Sequence, residues 1–325
     1  MTSVYITIDT EYSSGLVGDL SEAGRRDNFA RSLACITPHG PAGITHQLDV
    51  FARHGIKAVF FVDPMPALIW GVGAIEDIVA PILEAGQDVQ LHCHTEWLAI
   101  AGAKSPLSVR REGRNLFDFS RAEQTEILEY ARDILVAAGA PKPVAFRAGN
   151  YGANDDTLRA LGDLGLAYDT SHCPALPNGA SRISLGANDR DPVVHEGVTE
   201  VPVGSIGTWG GGQRHAQITA LSFAEMHAAI RHAQKCERPS FTLVTHSFEL
   251  INRRKQSVNR IVHHRFEKLC AALANMDGVQ TANYRDNPPQ IAPLRRSSPP
   301  LPASALRTSW RYAEQLASNT LYGTL

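Results

Sequence analysis

No CxxC pair occurs in this chain, and its cysteines (Cys35, Cys93, Cys173, Cys236 and Cys270) are odd in number and widely scattered. Neither a zinc knuckle nor a disulfide framework is suggested, and free thiols in a reducing compartment are the expectation. Long basic runs are also missing. "NRRK" (252–255) and "LRR" (294–296) are short and read as solvated surface. With a formal net charge of −2, the chain is not expected to bind nucleic acid by electrostatics. No apolar stretch approaches the roughly 18 residues of a membrane span. The first residues, "MTSVYITIDT", show neither a basic region nor an apolar leader, so a cytoplasmic location is expected. A glycine-rich phosphate loop is absent as well. "GTWGGG" (207–212) lacks the dinucleotide spacing and reads as a surface loop.

What is present is a rhythm. Short β-branched runs at 4–8, 57–62, 88–92, 143–147, 166–170, 198–204 and 240–246 alternate with amphipathic stretches. The latter, at 43–55, 74–86, 120–139, 154–165, 222–235 and 259–276, have apolar residues near helical spacing. Strand-then-helix order predicts an α/β fold with a parallel sheet, either a closed barrel or an open doubly wound sheet. With 43% hydrophobic residues, a substantial core is expected over 1–285. The segment 286–325 begins rich in Pro and Ser and reads as an extended arm ending in one short helix, hinting at subunit contact in a homo-oligomer.

The informative residues end the strands. "TIDTE" places Asp9 and Glu11 two apart, and "LHCH" does the same for His92 and His94, so each pair shares a side of an extended chain. If the chain curls after His92, Glu96 comes round beside it instead. Other strand ends carry Arg147, Asp169 and His246. In parallel α/β folds such ends gather in one mouth. A single strand-end Asp is usually a turn former, but seven polar residues at five strand ends have no common structural explanation and would cost desolvation.

The chemistry that this set supports is metal-assisted hydrolysis. Glu11, His92 and one of His94 or Glu96 could ligate a divalent ion, Asp9 could serve as general base and His246 as general acid. Arg147 could hold Asp9 ionised and oriented. Trp97, Tyr151 and Asp169 are candidates for substrate contact.

These motifs, in this order over residues 4 to about 250, resemble the polysaccharide deacetylase (NodB-homology, carbohydrate esterase family 4-like) family. "TIDTE" resembles its acid motif, "KAVFFV" the strand that follows, "FRAGNYG" its arginine motif and "TLVTH" the motif ending in a catalytic histidine. The resemblance implies a distorted (β/α) barrel of fewer than eight strands and one divalent ion, most often zinc. It also implies hydrolysis of an N-acetyl group on an amino sugar. Carried over, Asp9 would be base, Glu11 and His92 ligands, Arg147 the orienting residue and His246 the acid. The chain departs from the pattern in three places: Glu11 replaces an aspartate and sits one residue later, Glu96 stands where a second histidine is usual with His94 nearby, and the arginine motif lacks its proline. These departures resemble a divergent intracellular branch. The expected substrate is a carbohydrate precursor or small N-acyl compound. The alternatives are a metal-independent hydrolase of small cyclic amides and a non-catalytic carbohydrate-binding homologue.

Overall fold

The computed structural model describes residues 1–110, 112–176, 180–291 and 298–323, so "LRR" at 294–296 lies outside the described residues. Nine strands form one sheet: β1 (Thr2–Thr10), β2 (Ala58–Val62), β3 (Asp88–Cys93), β4 (Ala145–Ala148), β5 (Tyr168–Asp169), β6 (Val193–His195), β7 (Val198–Glu200), β8 (Ser240–His246) and β9 (Val279–Thr281). Its path runs β8-β1-β2-β3-β4-β5-β7-β6, with β9 beside the first residues of β1. All pairings along the path are parallel except that of β6 with β7. The seven parallel strands of that path curl into a partial barrel, in keeping with the expected fold.

Strand alternation divides the core in two. On β1, Val4, Ile6 and Ile8 join Phe60, Val62 and the apolar faces of the helices. Tyr5 instead meets Val59, Phe61, Ala145 and Val201, a cluster with no helical member, which is the filling of the barrel. Continuing by twos from Tyr5 and from Ala145 puts Asp9 and Arg147 on this inner face, and the Arg147 guanidinium lies 4.6 Å from the Phe61 ring centroid. Cys93, between His92 and His94, belongs by the same alternation to the outer core, where it is buried.

The expected helices are present as α2 (Ile44–His54), α3 (Gly73–Glu84), α4 (Arg121–Ala137), α5 (Asp155–Asp163), α6 (Phe223–Lys235) and α7 (Arg260–Ala274). The Ser120, Asn154, Ser222 and Asn259 side chains each accept a backbone N–H from the first turn of the helix they precede. Sequence reading missed α1 (Glu22–Ser32), whose "EAGRRDNFARS" has almost no apolar stripe; β6 and β9 were missed because they are three residues long. The final helix, α8 (Ala305–Tyr322), is pinned to the body through Arg311–Glu225 (3.2 Å), Glu314–Arg265 (2.5 Å) and Ser318–Asn259 (2.8 Å). Among the described residues no helix is long and apolar enough to cross a membrane.

Between β7 and β8 the barrel wall is joined by single bonds rather than a ladder. Gly204 N donates to Thr242 O (2.9 Å), Val244 N to Ala216 O (2.9 Å) and Ile218 N to Val244 O (3.1 Å). A Cβ on residue 204 would stand 2.6 Å from Thr242 O, so only glycine allows this approach.

Candidate functional site

Register assembles the site. Asp9 on β1 pairs with His246 on β8, and His92 on β3 pairs with Arg147 on β4. Four strand ends from distant parts of the chain therefore meet at one mouth. Asp9 is nearly buried: its Oδ1 accepts from Arg147 Nη1 at 2.6 Å, and His246 Nε2 stands 3.8 Å from its Oδ2. Arg147 is wholly buried and also donates to Thr170 O (3.3 Å). Burial alone would raise the Asp9 pKa, but Arg147, His92 and His246 together bring it below the usual carboxylate value.

Glu11, two residues on, points the same way as Asp9. Its Oε2 lies 3.0 Å from His92 Nε2 and 2.7 Å from His94 Nε2. One ligand atom from each of Glu11, His92 and His94 lies within 4.8 Å of the others. The hydrogens decide what this means. His92 Nδ1 faces the Arg147 carbonyl oxygen at 2.7 Å, and His94 Nδ1 faces Glu96 Oε2 at 3.2 Å. Those oxygens only accept, so both Nδ1 atoms carry a hydrogen, and each ring turns its Nε2 toward Glu11, where it can hold a metal ion or a second proton. Although both nitrogens are close, buried Glu11 Oε2 has no hydrogen bond of acceptable geometry. Three electron pairs aimed at one point repel each other unless a proton or a metal cation lies between them. This tautomer arrangement, with each ring anchored by an outer oxygen, is the one that metal-binding histidines use.

The surrounding charge has the same sign. Burial would lower the His94 pKa, but Glu11, Glu96 and Asp63 reverse this and raise it well above the ordinary value. The cluster thus demands positive charge, whether from a proton or from a divalent ion. Glu11, His92 and His94 fit such an ion. Glu96 stands behind His94, its other oxygen accepting from Asn150 Nδ2 (3.1 Å), and so orients that ring. Gly149 leaves room for the ring, since a Cβ there would lie 2.7 Å from His94 Nδ1. Asn150 and Tyr151 both adopt left-handed backbone (φ 55° and 56°), a strained turn of the kind that functional sites retain.

His246 has a carboxylate of its own. Its Nδ1 lies 3.5 Å from Glu249 Oε1, and its backbone N donates to Glu249 Oε2 (3.1 Å). Burial would depress the His246 pKa, but Glu249, with Asp9 and Glu11, raises it to about 9. The imidazole is therefore charged at neutral pH.

Tyr151 is half-buried and packs with Cys173, Val203 and Val244 beside Arg147. Trp97 is elsewhere. It is fully buried and meets Trp70 edge-on at 5.4 Å, because the short helix Glu96–Ala101 turns residue 97 into the outer core. Asp169 is also not at the mouth: it is buried behind Arg147, accepting from Ser171 N and Oγ (3.0 and 2.8 Å) and hydrogen-bonded to Glu200. Burial and Asp169 together raise Glu200 well above the usual range, so it keeps its proton and donates to Asp169.

Sequence reading missed Asp63, Glu249 and Glu200. Asp63 follows strand "AVFFV" directly, the same strand-end signal used for the others. Its Oδ1 accepts from Met65 N (3.0 Å), its Oδ2 is buried without a partner, and burial lifts its pKa to about 6.

The family profile for polysaccharide deacetylase matches residues 34–168. A Mycobacterium smegmatis structure with a provisional polysaccharide deacetylase assignment superposes with a TM-score of 0.54 at 17% identity, covering 87% of each chain. A family 4 carbohydrate esterase from Streptomyces lividans, solved in complex with acetate, gives a TM-score of 0.44 at 10% identity, covering 90% of this chain and 97% of its own. No curated protein matches the chain. The profile match over residues 34–168, and a fold shared with the Mycobacterium smegmatis structure, make the chain similar to the polysaccharide deacetylases.

Proposed function

We propose that this protein is a metal-dependent amide hydrolase that removes an N-acetyl group from an amino sugar or its precursor. The observation that carries the reading is the convergence of Glu11 Oε2 and the Nε2 atoms of His92 and His94 beside an ionised Asp9 and a charged His246. Glu11, His92 and His94 would hold the ion, zinc by the chemistry of a two-imidazole, one-carboxylate set. The chemistry such an ion supplies is polarisation of an acyl carbonyl and acidification of water.

The chain's own residues do the rest. Arg147 occupies Asp9 Oδ1 and leaves Oδ2 turned toward His246, free to take a proton from the attacking water. As the water oxygen bonds to the acyl carbon, Asp9 accepts that proton. His246, charged through Glu249, donates its own to the departing nitrogen when the carbon–nitrogen bond breaks. The products are acetate and the free amine, and the two side chains return to their starting states by exchanging the proton with solvent. Tyr151 flanks the mouth and is placed to contact the sugar. The cyclic-amide alternative has no use for three convergent ligand atoms, and a binding-only protein has no use for a base and an acid in register.

The test is acetate release from N-acetylglucosamine oligomers and monomers by zinc-loaded protein, with Asp9→Asn and His92→Ala beside it. The reading expects turnover lost by at least a hundredfold in Asp9→Asn, and about one zinc per chain in wild type and Asp9→Asn but not in His92→Ala. Zinc-free wild type after dialysis against zinc would end the metal-hydrolase reading.

A further inference from the structure

Next to His246 the chain turns through Ser247–Leu250 into a short ribbon, Ile251–Asn252 paired with Ser257–Val258. Turn and ribbon wall a cavity of about 370 Å³ whose lining includes Thr219, Phe248, Glu249, Arg253 and Arg254. The one carboxylate in that wall is fully used. Glu249 Oε1 accepts from Gln217 and from Thr219 Oγ1 (3.0 Å), and its Oε2 accepts from His246 N (3.1 Å) and Thr245 Oγ1 (3.1 Å).

Arg253 is different. It is half-buried, yet among the described residues no carboxylate pairs with it. Its guanidinium lies over the Phe248 ring at 4.1 Å, and that ring in turn lies 4.8 Å from the His246 ring. Burial raises the free energy of its charged form and Arg31 opposes that form further, while Cys35 and Glu11 across the mouth support it. A ring face holds a guanidinium flat but leaves its edge N–H groups unused, in the fork that matches carboxylate and phosphate oxygens. Arg254 adds a second positive charge at the rim. The run "NRRK" is thus not merely solvated surface.

We propose that this cavity receives an anionic substituent, a phosphate or carboxylate, carried by the acylated substrate, with Arg253 as its receptor. One aromatic ring separates that receptor from the imidazole that would protonate the leaving nitrogen, so anion and amide belong to one small molecule. The substrate class is then an N-acyl amino sugar bearing an acidic group rather than a neutral polymer. The assignment rests on the deacylase reading of the adjoining site.

The experiment has two independent readouts on full-length, zinc-loaded protein. The first compares kcat/KM for acetate release from N-acetylglucosamine, N-acetylglucosamine 1-phosphate and N-acetylmuramic acid. At least a tenfold preference for one acidic sugar, expressed in KM, is expected; which sugar wins tells phosphate from carboxylate. Arg253→Gln should collapse that ratio to within threefold, and Arg253→Lys should keep part of it. Equal kcat/KM for all three, or a preference that survives Arg253→Gln, overturns the proposal. The second readout is calorimetric binding of inorganic phosphate and pyrophosphate, which needs no turnover. If no sugar yields acetate, the deacylase reading fails, and this binding decides on the cavity alone. Saturable binding weakened at least tenfold in Arg253→Gln, at unchanged melting temperature, supports it; no binding, or binding indifferent to the substitution, refutes it.

Discussion

Replacing Glu249 by Gln separates the charge of His246 from its position. The pair is 3.5 Å apart, with 7% of the Glu249 side chain and 21% of the His246 side chain exposed. At an effective dielectric constant of about 20, unit charges at that distance attract by roughly 5 kcal/mol. Partial exposure and side-chain freedom reduce this, and a net loss of about 1.4 to 3 kcal/mol, or one to two pH units, is the working expectation. The sign is set by which form the carboxylate favours. Burial depresses the imidazolium and Glu249 supports it, so the variant's His246 should fall from about 9 toward 7. A general acid works only while protonated, so the alkaline limb of kcat/KM should move down with it. Gln keeps the shape: its carbonyl oxygen can stay toward His246 N and the Thr245 hydroxyl, while its amide faces Gln217 and Thr219, whose side chains can turn to accept. The assay is kcat/KM for acetate release between pH 5.5 and 10 on zinc-loaded protein of verified metal content and melting temperature. An alkaline limb within 0.3 unit of wild type would show that Glu249 does not charge His246, and the assignment of the histidine as acid would lose its support.

Arg147→Met leaves Asp9 buried without its cation, and removal of one partner from such a pair costs about 3–5 kcal/mol. Urea unfolding at pH 7 should show this, and a loss under 1 kcal/mol would mean that the pair is not the buried contact described. Gly204→Ala drives a methyl to 2.6 Å from Thr242 O and 2.7 Å from Phe241 Cζ, so the barrel seam must spread at a cost of about 1–3 kcal/mol. A lowered urea midpoint with unchanged helical circular dichroism is expected; a midpoint equal to wild type would say that the seam carries no strain.

The strand-end residues were legible because two local rules suffice for them. Alternation fixes that Asp9 and Glu11, or His92 and His94, share a side, and parallel topology sends strand ends to one mouth. Register then brings Asp9 to His246 and His92 to Arg147, which no local pattern specifies. The illegible residues lack such a rule. Glu249 sits three beyond His246 in a single helical turn, where an acid looks like a cap. Glu200 meets Asp169 across paired strands 31 positions apart in sequence. Trp97 flanks the ligand motif, but the helix beginning at Glu96 rotates it into the core. The closure at Gly204 is a contact between backbones, and an isolated glycine in "VPVGS" does not announce it.

Because β1 is flanked by β8 on one side and β2 on the other, with β9 beside its first residues, its pairing is complete only once β8 and β9 have been made. Residue 3 pairs with residue 240, which is made long after it. Until then β1 presents an unpaired apolar edge, the kind of surface that chaperones cover and that otherwise aggregates. The proposed base and acid sit on these two strands, as the register pair Asp9 and His246. Their union is therefore among the later events of folding.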